Sequence, residues 1–186
     1  MIDSIAFYIS SILGLCKKNK FPGTLASLAS LFFSFLSYYF LGKTAYVVLF
    51  FIFLILGFWA IQKIHKKNGT GDYQWIGIDE WIGMWLANFF LFELNFNLTE
   101  VIIFSLISFT IFRIMDIFKF IPPLKTINEN KNQRATAVLL DDVIAGCYTY
   151  FLMLTFLGLY NASFFYSSFL ILLTPMIANM APVLLK

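Results

Sequence analysis

Charged side chains interrupt two long apolar runs in the second half of the chain. Arg113, Asp116 and Lys119 stand at the end of one run, and the adjacent pair Asp141 and Asp142 stands at the start of the next. A charge inside a membrane span costs several kcal/mol unless it faces a partner or a polar cavity. These five residues are therefore candidates for a functional site.

Two further polar motifs lie at the edges of other apolar runs. Pro22-Gly23-Thr24 precedes one run, and Asp72 is followed, at the start of another, by Asp79 and Glu80. At about 100° per residue, Glu80 and Gly83 would share one face of a helix. A small residue on the face of a carboxylate allows a second helix to approach closely.

The acidic residues of these motifs have the chemistry of a metal site. Asp142 shares a helical face with Ala145 and Gly146, so a small residue again accompanies a carboxylate. Several carboxylates from separate helices, without histidine or cysteine, suit a hard cation such as Mg²⁺. The candidate ligands are the carboxylates of three motifs: Asp79, Glu80, Asp116, Asp141 and Asp142.

The basic residues indicate a phosphate group beside that metal. On a helix, Arg113, Asp116 and Lys119 lie within an arc of roughly 120°, so all three can face one cavity. Arg and Lys bind phosphate, and Thr24 is a further candidate. Mg²⁺ would polarise a phosphoryl oxygen and lower the pKa of a water molecule. Arg113 would offset developing charge, and a remaining carboxylate could be a general base. The pattern predicts hydrolysis of a phosphomonoester.

Composition places this chemistry in a membrane. Of the 186 residues, 60% are hydrophobic and 12% are charged, against about 45 to 50% and about 25% in soluble domains. The net charge of +3 is small, so nucleic-acid binding is not expected. Cys16 and Cys147 form no CxxC pair, and His65 is the single histidine, which argues against zinc or thiol chemistry.

The apolar runs predict an all-α fold, a polytopic bundle of about six transmembrane helices in a single domain, residues 1–186. The predicted spans are the six longest runs: Leu25 to Leu41, Thr44 to Ile64, Trp75 to Phe92, Leu98 to Phe118, Ala137 to Tyr160 and Ser163 to Ala181. Ile5 to Leu15 is too short to cross a bilayer and is not a cleavable signal. It is predicted to be an interfacial or re-entrant helix.

Positive charge orients the predicted bundle. Lysines precede the first span, follow the second, and lie between the fourth and the fifth, whereas the alternate loops hold only Lys43. By the positive-inside rule, the lysine-rich loops face the cytoplasm. All four polar motifs then fall at the cytoplasmic edge of the membrane.

The four motifs together resemble one known family. FPGTLASL (Phe21 to Leu28) is similar to its PGTxGSL motif, and DYQWIGIDEWIG (Asp72 to Gly83) to its Asp, Asp-Glu and Gly pattern. FRIMDIFKFIP (Phe112 to Pro122) resembles RxxDxxKPxP, and VLLDDVIAG (Val138 to Gly146) resembles Asp-Asp-x-x-Ala-Gly. The chain thus resembles the phosphatidylglycerophosphatase A family from about Leu15 to Tyr160. It differs in having Ala26 and Phe120 where that family has Gly and Pro.

The resemblance implies a multi-pass enzyme of the bacterial inner membrane. Such an enzyme uses Mg²⁺ to remove the terminal phosphate of phosphatidylglycerophosphate and yields phosphatidylglycerol for phospholipid biosynthesis. Two alternatives stay open: a phosphatase for another lipid phosphate, and a carboxylate-lined, ion-coupled transporter. Attack by water and a phospho-aspartyl intermediate are both compatible with the sequence, and the sequence does not indicate an oligomeric state.

Overall fold

In the computed structural model, every regular element of the described residues, 2–17, 19–71, 73–92, 97–118 and 135–184, is helical. The all-α prediction is therefore confirmed for that part of the chain. The chain divides into two units, residues 1–150 and 151–186. All contacts below lie in the first unit, and the single-domain prediction stays a prediction.

The α-helices follow in a simple order along the chain. They are α1 (Ile2–Ser10), α2 (Pro22–Leu36), α3 (Gly42–Asn68), α4 (Ile78–Ala87), α5 (Leu98–Phe118) and α6 (Ala135–Leu184). A π-helical turn, Ser37–Leu41, continues α2, and a 3₁₀ helix, Asn88–Phe92, continues α4.

Three helical stretches of the described residues are long and apolar enough to cross a membrane: Pro22–Asn68, Leu98–Phe118 and Ala135–Asn161. The first stretch has 47 residues and contains both α2 and α3. The two helices are separated at Gly42, whose φ of +80° interrupts the helical conformation. The prediction of a membrane protein is confirmed, and the fourth predicted span has the same bounds as α5. Six transmembrane helices are not confirmed.

The third predicted span, Trp75 to Phe92, differs most from the structure. Its α-helical part, α4, has only 10 residues, which rise about 15 Å and so cover about half of the hydrocarbon thickness. Nearly every side chain of α4 is buried within the protein. The long apolar run therefore reflects burial on all sides of a short helix rather than contact with lipid. Ser163 to Ala181, predicted as a separate sixth span, continues α6 as helix.

Hydrogen bonds to side chains hold α4 between its neighbours. Ser30 of α2 donates to the Trp81 carbonyl at 2.6 Å, and Tyr46 of α3 donates to the Trp85 carbonyl at 2.7 Å. At the far end, Asn88 donates to the hydroxyl of Ser34 at 3.0 Å. Because such groups have no water to bond inside a bilayer, these contacts fix the depth and rotation of α4.

The N-terminal segment packs against the residues that directly precede α4. The predicted helix from Ile5 to Leu15 ends earlier, at Ser10, and the chain turns through Ile12, Leu13 and Gly14, which all have positive φ. The Ser10 carbonyl accepts the backbone N–H of Gly77 at 2.8 Å. The segment therefore fixes the residue that directly precedes α4.

An ion pair joins α1 to the end of α3. Lys67 Nζ lies 3.1 Å from Asp3 Oδ2, and the hydrogen bond and charge of Lys67 lower the pKa of Asp3. Both side chains are exposed, so the pair contributes little to stability. It places the basic end of α3 beside α1.

Candidate active site

Three carboxylates from two helices converge at the start of α4. Oxygens of Asp79, Glu80 and Asp142 all lie within 4.8 Å of one another. Asp79 and Glu80 occupy the first turn of α4, and Asp142 lies near the start of α6. Asp79 and Asp142 are each only 5% exposed. The sequence-predicted motifs around Asp79 and Asp142 are thus brought into one cluster.

Glycines allow α4 and α6 to come close enough for this cluster. A Cβ atom on Gly83 would lie 2.5 Å from the backbone oxygen of Asp142, and a Cβ atom on Gly146 would overlap the Gly83 carbonyl. No side chain fits at either position without moving a helix backbone. The close approach predicted from small residues on the carboxylate-bearing faces is therefore present.

Arg113 of α5 lies next to the carboxylates and is held by two partners. Its NH1 group donates to Asp116 Oδ2 at 2.7 Å and to the hydroxyl of Ser27 at 3.4 Å. Ser27 in turn donates to the Gly23 carbonyl at 2.9 Å. The side chains of Arg113 and Asp116 are 15% and 12% exposed. Asp116 therefore holds the guanidinium beside the cleft that Glu80 also lines.

A cleft of about 340 Å³ opens beside these groups. Thr24, Glu80 and Arg113 line it, so three of the four predicted motifs contribute to its wall. A Cβ atom on Gly23 would overlap Glu80 Oε1 and lie 3.2 Å from Arg113 NH1. The PGT motif therefore places the backbone of Gly23 against the two charged groups, and the next residue, Thr24, lines the cleft.

The remaining predicted residues are placed differently. Asp141 is buried at 7% exposure, but it is not one of the three clustered carboxylates. Asp116 is also outside that group of three, and its Oδ2 atom accepts the hydrogen bond from Arg113. Lys119 and Asp72 lie outside the described residues. The roles assigned to all of these residues stay predictions.

Sequence reasoning missed three residues of the site. Ser27 bonds Arg113, while Lys20 and Gln74 line the cleft. Ser27 could have been found, because it lies one helical turn after Gly23 and on the same face. Lys20 and Gln74 lie in loops, where no periodicity indicates which way a side chain points.

The donor set fits a hard divalent cation. Oxygens around one Mg²⁺ ion at about 2.1 Å lie about 3 to 4.2 Å apart, close to the spacing found here. Glu80 Oε2 is buried and has no hydrogen-bond partner among the described residues. Two unit charges 4 Å apart repel by about 4 kcal/mol at an effective dielectric constant of 20. A cation between the three carboxylates would remove that repulsion and give Glu80 a partner.

A buried thiol lies behind the first turn of α4. Cys16 is 2% exposed, and a Cβ atom on Gly77 would overlap its Sγ atom. Burial, with smaller contributions from the charges of Glu80 and Asp79, raises the pKa of the Cys16 thiol to about 12. Cys16 is therefore a protonated packing residue rather than a nucleophile.

Comparisons with known proteins identify a family and two relatives that this chain resembles in sequence. A family model described as phosphatidylglycerophosphatase A matches residues 8–157, which include all the clustered residues. Phosphatidylglycerophosphatase A of Escherichia coli (strain K12) is 31% identical over 126 residues, 67% of each chain. A protein of Bacteroides thetaiotaomicron named "Putative phosphatidylinositol-3-phosphatase" is 29% identical over 136 residues, 71% of this chain and 80% of that relative. No solved structure matches the chain.

Proposed function

Because the chain belongs to the phosphatidylglycerophosphatase A family, and is thus a lipid phosphatase of a bacterial membrane, we propose that it hydrolyses the terminal phosphomonoester of phosphatidylglycerophosphate. Water would be consumed, and phosphatidylglycerol and inorganic phosphate would be released. The observation that carries this proposal is the cluster of Asp79, Glu80 and Asp142, of which Glu80 lines a cleft together with Arg113.

We propose that the three clustered carboxylates hold Mg²⁺. When bound, Mg²⁺ supplies Lewis-acid stabilisation of a phosphoryl oxygen and a more acidic water molecule. Asp79 and Asp142 are buried, and the oxygens of all three carboxylates lie within 4.8 Å of one another, so few rearrangements would be needed to bind the ion. Asp116 accepts a hydrogen bond from Arg113, so the role proposed for it is to orient that guanidinium.

The cationic and hydroxyl groups of the cleft would bind the phosphate itself. Arg113 is fixed by Asp116 and Ser27, so little side-chain entropy is lost when it meets a phosphoryl oxygen. Its positive charge offsets the charge that develops in the transition state. Thr24 can donate a hydroxyl hydrogen bond to the same group, and Lys119 stays a candidate from its sequence position.

The active site is proposed to open on the cytoplasmic side of the inner membrane. Lys20 lines the cleft, and Lys63 and Lys67 line a second cavity with Asp3 of α1 and Trp75, which lies just before α4. Basic residues therefore gather at the end of the first unit that also carries the carboxylates. The positive-inside rule assigns such an end to the cytoplasm.

A second candidate substrate is supported by one of the relatives. The matched protein of Bacteroides thetaiotaomicron is named for phosphatidylinositol 3-phosphate. That lipid also carries a phosphomonoester on a head group, so the same carboxylates and Arg113 would serve for its hydrolysis. The two substrates differ in the polyol that the cleft must accept.

Phosphate release by purified protein in detergent tests the proposal. Wild type would be assayed with phosphatidylglycerophosphate and with phosphatidylinositol 3-phosphate, each with Mg²⁺ or with EDTA. We expect Mg²⁺-dependent turnover of the first lipid and a loss of about 100-fold or more in Asp142→Asn, since metal-ion catalysis supplies several kcal/mol. The matched control, Glu100→Gln, changes a carboxylate on α5 that caps the backbone of Asn97. Folded wild-type protein that releases no phosphate from the first lipid would refute the proposal.

A further inference from the structure

The cleft contains a second cation that is not committed to the carboxylate cluster. Lys20 lines the same cavity as Arg113 and Glu80. Arg113 is paired with Asp116 at 2.7 Å, whereas Lys20 has no ion pair among the residues that the structure describes. The cavity therefore offers one fixed cation beside the cluster and one exposed cation that is free to meet a ligand.

The backbone that carries Lys20 is restrained on both sides. Asn19 donates a side-chain hydrogen bond to the Leu15 carbonyl at 2.5 Å. The Cys16 thiol donates a hydrogen bond to the carbonyl oxygen of Pro22, with 3.7 Å between sulfur and oxygen. Pro22 is the first residue of α2. Residues on both sides of Lys20 are thus hydrogen-bonded to the turn that follows α1. These contacts favour a position of Lys20 at the wall of the cleft.

From this arrangement we infer that Lys20 binds the phosphodiester that joins the substrate's head group to its diacylglycerol. The inference rests on the proposed function and names its substrate class: lipids that carry a phosphomonoester on a head group already linked through a phosphodiester. Both lipids considered above belong to that class. Phosphatidic acid does not, because its single phosphate is attached directly to the diacylglycerol.

Two anionic groups on one ligand match the two cations of the cleft. The phosphomonoester, which is broken, would lie at Arg113 and the carboxylate cluster. The phosphodiester, which stays intact, would lie at Lys20, where an ammonium group acts as a point charge. Gln74 lines the same cavity. Its amide can donate a hydrogen bond to a hydroxyl of the polyol between the two phosphates, or accept one from it. Lys20 is therefore a specificity residue and not a catalytic residue.

Kinetics with two lipids test this inference. Lys20→Gln and Lys20→Arg would be compared with wild type on short-chain phosphatidylglycerophosphate and short-chain phosphatidic acid in mixed micelles with Mg²⁺. Where phosphatidic acid is not turned over, it is measured as a competitive inhibitor. Lys66→Gln is the matched control, because Lys66 is also exposed but lies on α3 and does not line the cleft.

For Lys20→Gln, we expect KM for phosphatidylglycerophosphate to rise about tenfold or more, the effect of losing one hydrogen bond to a charged group. We expect kcat to stay unchanged, because the diester is bound equally in the ground state and the transition state. KM or Ki for phosphatidic acid should stay within twofold of wild type, and Lys20→Arg should restore most of the affinity.

The outcomes separate this inference from the proposed function. Equal losses on both lipids, a loss confined to kcat, or no change at all would overturn the role of Lys20 while leaving the phosphatase activity established. Failure of wild type to hydrolyse phosphatidylglycerophosphate would instead remove the proposed function.

Discussion

Gly146 of α6 and Gly83 of α4 are in direct backbone contact, since a Cβ atom on Gly146 would overlap the Gly83 carbonyl. Each glycine lies about one helical turn beyond a clustered carboxylate, Asp142 in α6 and Asp79 in α4. The helix crossing and the carboxylate cluster are therefore parts of one arrangement. Separation of the helices would also separate the ligand oxygens.

Gly146→Ala should lower both stability and activity. The added methyl group would force the α4 and α6 backbones apart, and overpacking of this kind costs about 1 to 3 kcal/mol. We expect a lower unfolding midpoint in detergent and an activity loss larger than the loss of folded protein, because Asp142 moves with α6. Gly158→Ala is the control, because nothing lies within 4 Å of a Cβ atom there. A Gly146→Ala protein as active as wild type would show that the crossing tolerates a wider spacing.

Gly23→Ala should remove activity with little loss of stability. Its methyl group would overlap Glu80 Oε1 and crowd Arg113 NH1, but these are the ends of side chains that can swing aside. We expect phosphate release to fall by at least about tenfold, which corresponds to about 1.4 kcal/mol in the barrier. Gly71→Ala, whose Cβ atom would meet only the Tyr73 ring at 3.9 Å, is the control. Thermal unfolding of both variants should match wild type, and retained activity in Gly23→Ala would contradict the geometry at Glu80.

Glu80→Gln should lower the affinity for Mg²⁺ more than it lowers the stability of the fold. The amide keeps the shape of the side chain but removes one negative charge from the set of three. We expect the Mg²⁺ concentration for half-maximal activity to rise about tenfold or more, the equivalent of about 1.4 kcal/mol of binding free energy. Isothermal titration calorimetry of Mg²⁺ with the lipid-free protein compares the Mg²⁺ affinities of wild type and variant without turnover. An unchanged Mg²⁺ affinity would place the ion elsewhere.

Cys16 should resist alkylation at neutral pH in the folded protein. Burial raises the pKa of this thiol to about 12, so the reactive thiolate is scarce at pH 7 and increases only as the pH approaches that value. In a Cys147→Ser background, we expect maleimide to label Cys16 many times more slowly in mild detergent than after unfolding in SDS. Rapid labelling of the folded protein would mean that the turn after α1 does not pack against Gly77.

The Cys16 thiol should also make the stability of the protein fall as the pH rises above 9. The folded-state pKa lies above the ordinary value of 9.0, so the contribution of the neutral thiol is complete below pH 9. It decreases as the pH rises from 9 toward 12, because the unfolded chain can ionise there while the folded protein cannot. The unfolding midpoint of wild type should therefore fall more steeply over this range than that of Cys16→Ala.

The sequence predicted that several of its motifs meet, from the distribution of positive charge, helical periodicity and residue chemistry. Asp79 and Asp142 were expected in one site, and Gly83 and Gly146 were expected on the carboxylate-bearing faces. The first expectation follows from the positive-inside rule, which places all four motifs at one edge of the membrane. The second follows from the 3.6-residue repeat, which is a local property of the chain. The bounds of α5 were also predictable, because its apolar run is bordered by polar residues at both ends.

Other features depend on tertiary packing that a single sequence does not encode locally. An apolar run has the same composition whether lipid or protein surrounds it, so the sequence predicts a full span where the structure has the short, buried α4. Which carboxylates group together depends on the helix crossing, which brings Asp142 to α4 and leaves its neighbour Asp141 outside the group. Lys20 and Gln74 reach the cleft from loops, and only the path of the backbone reveals this.

The first turn of α4 also carries a charge that no side chain supplies. Aligned peptide dipoles give a helix roughly half a positive elementary charge at its N-terminus, worth about 0.3 to 1 kcal/mol for each nearby carboxylate. Asp79 and Glu80 occupy that turn, and the backbone N–H of Glu80 donates to Asp79 Oδ1 at 3.1 Å. The peptide backbone of α4 thus offsets part of the repulsion between these two side chains in the metal-free protein. Preorganisation of the ligand set is built into the start of the helix itself.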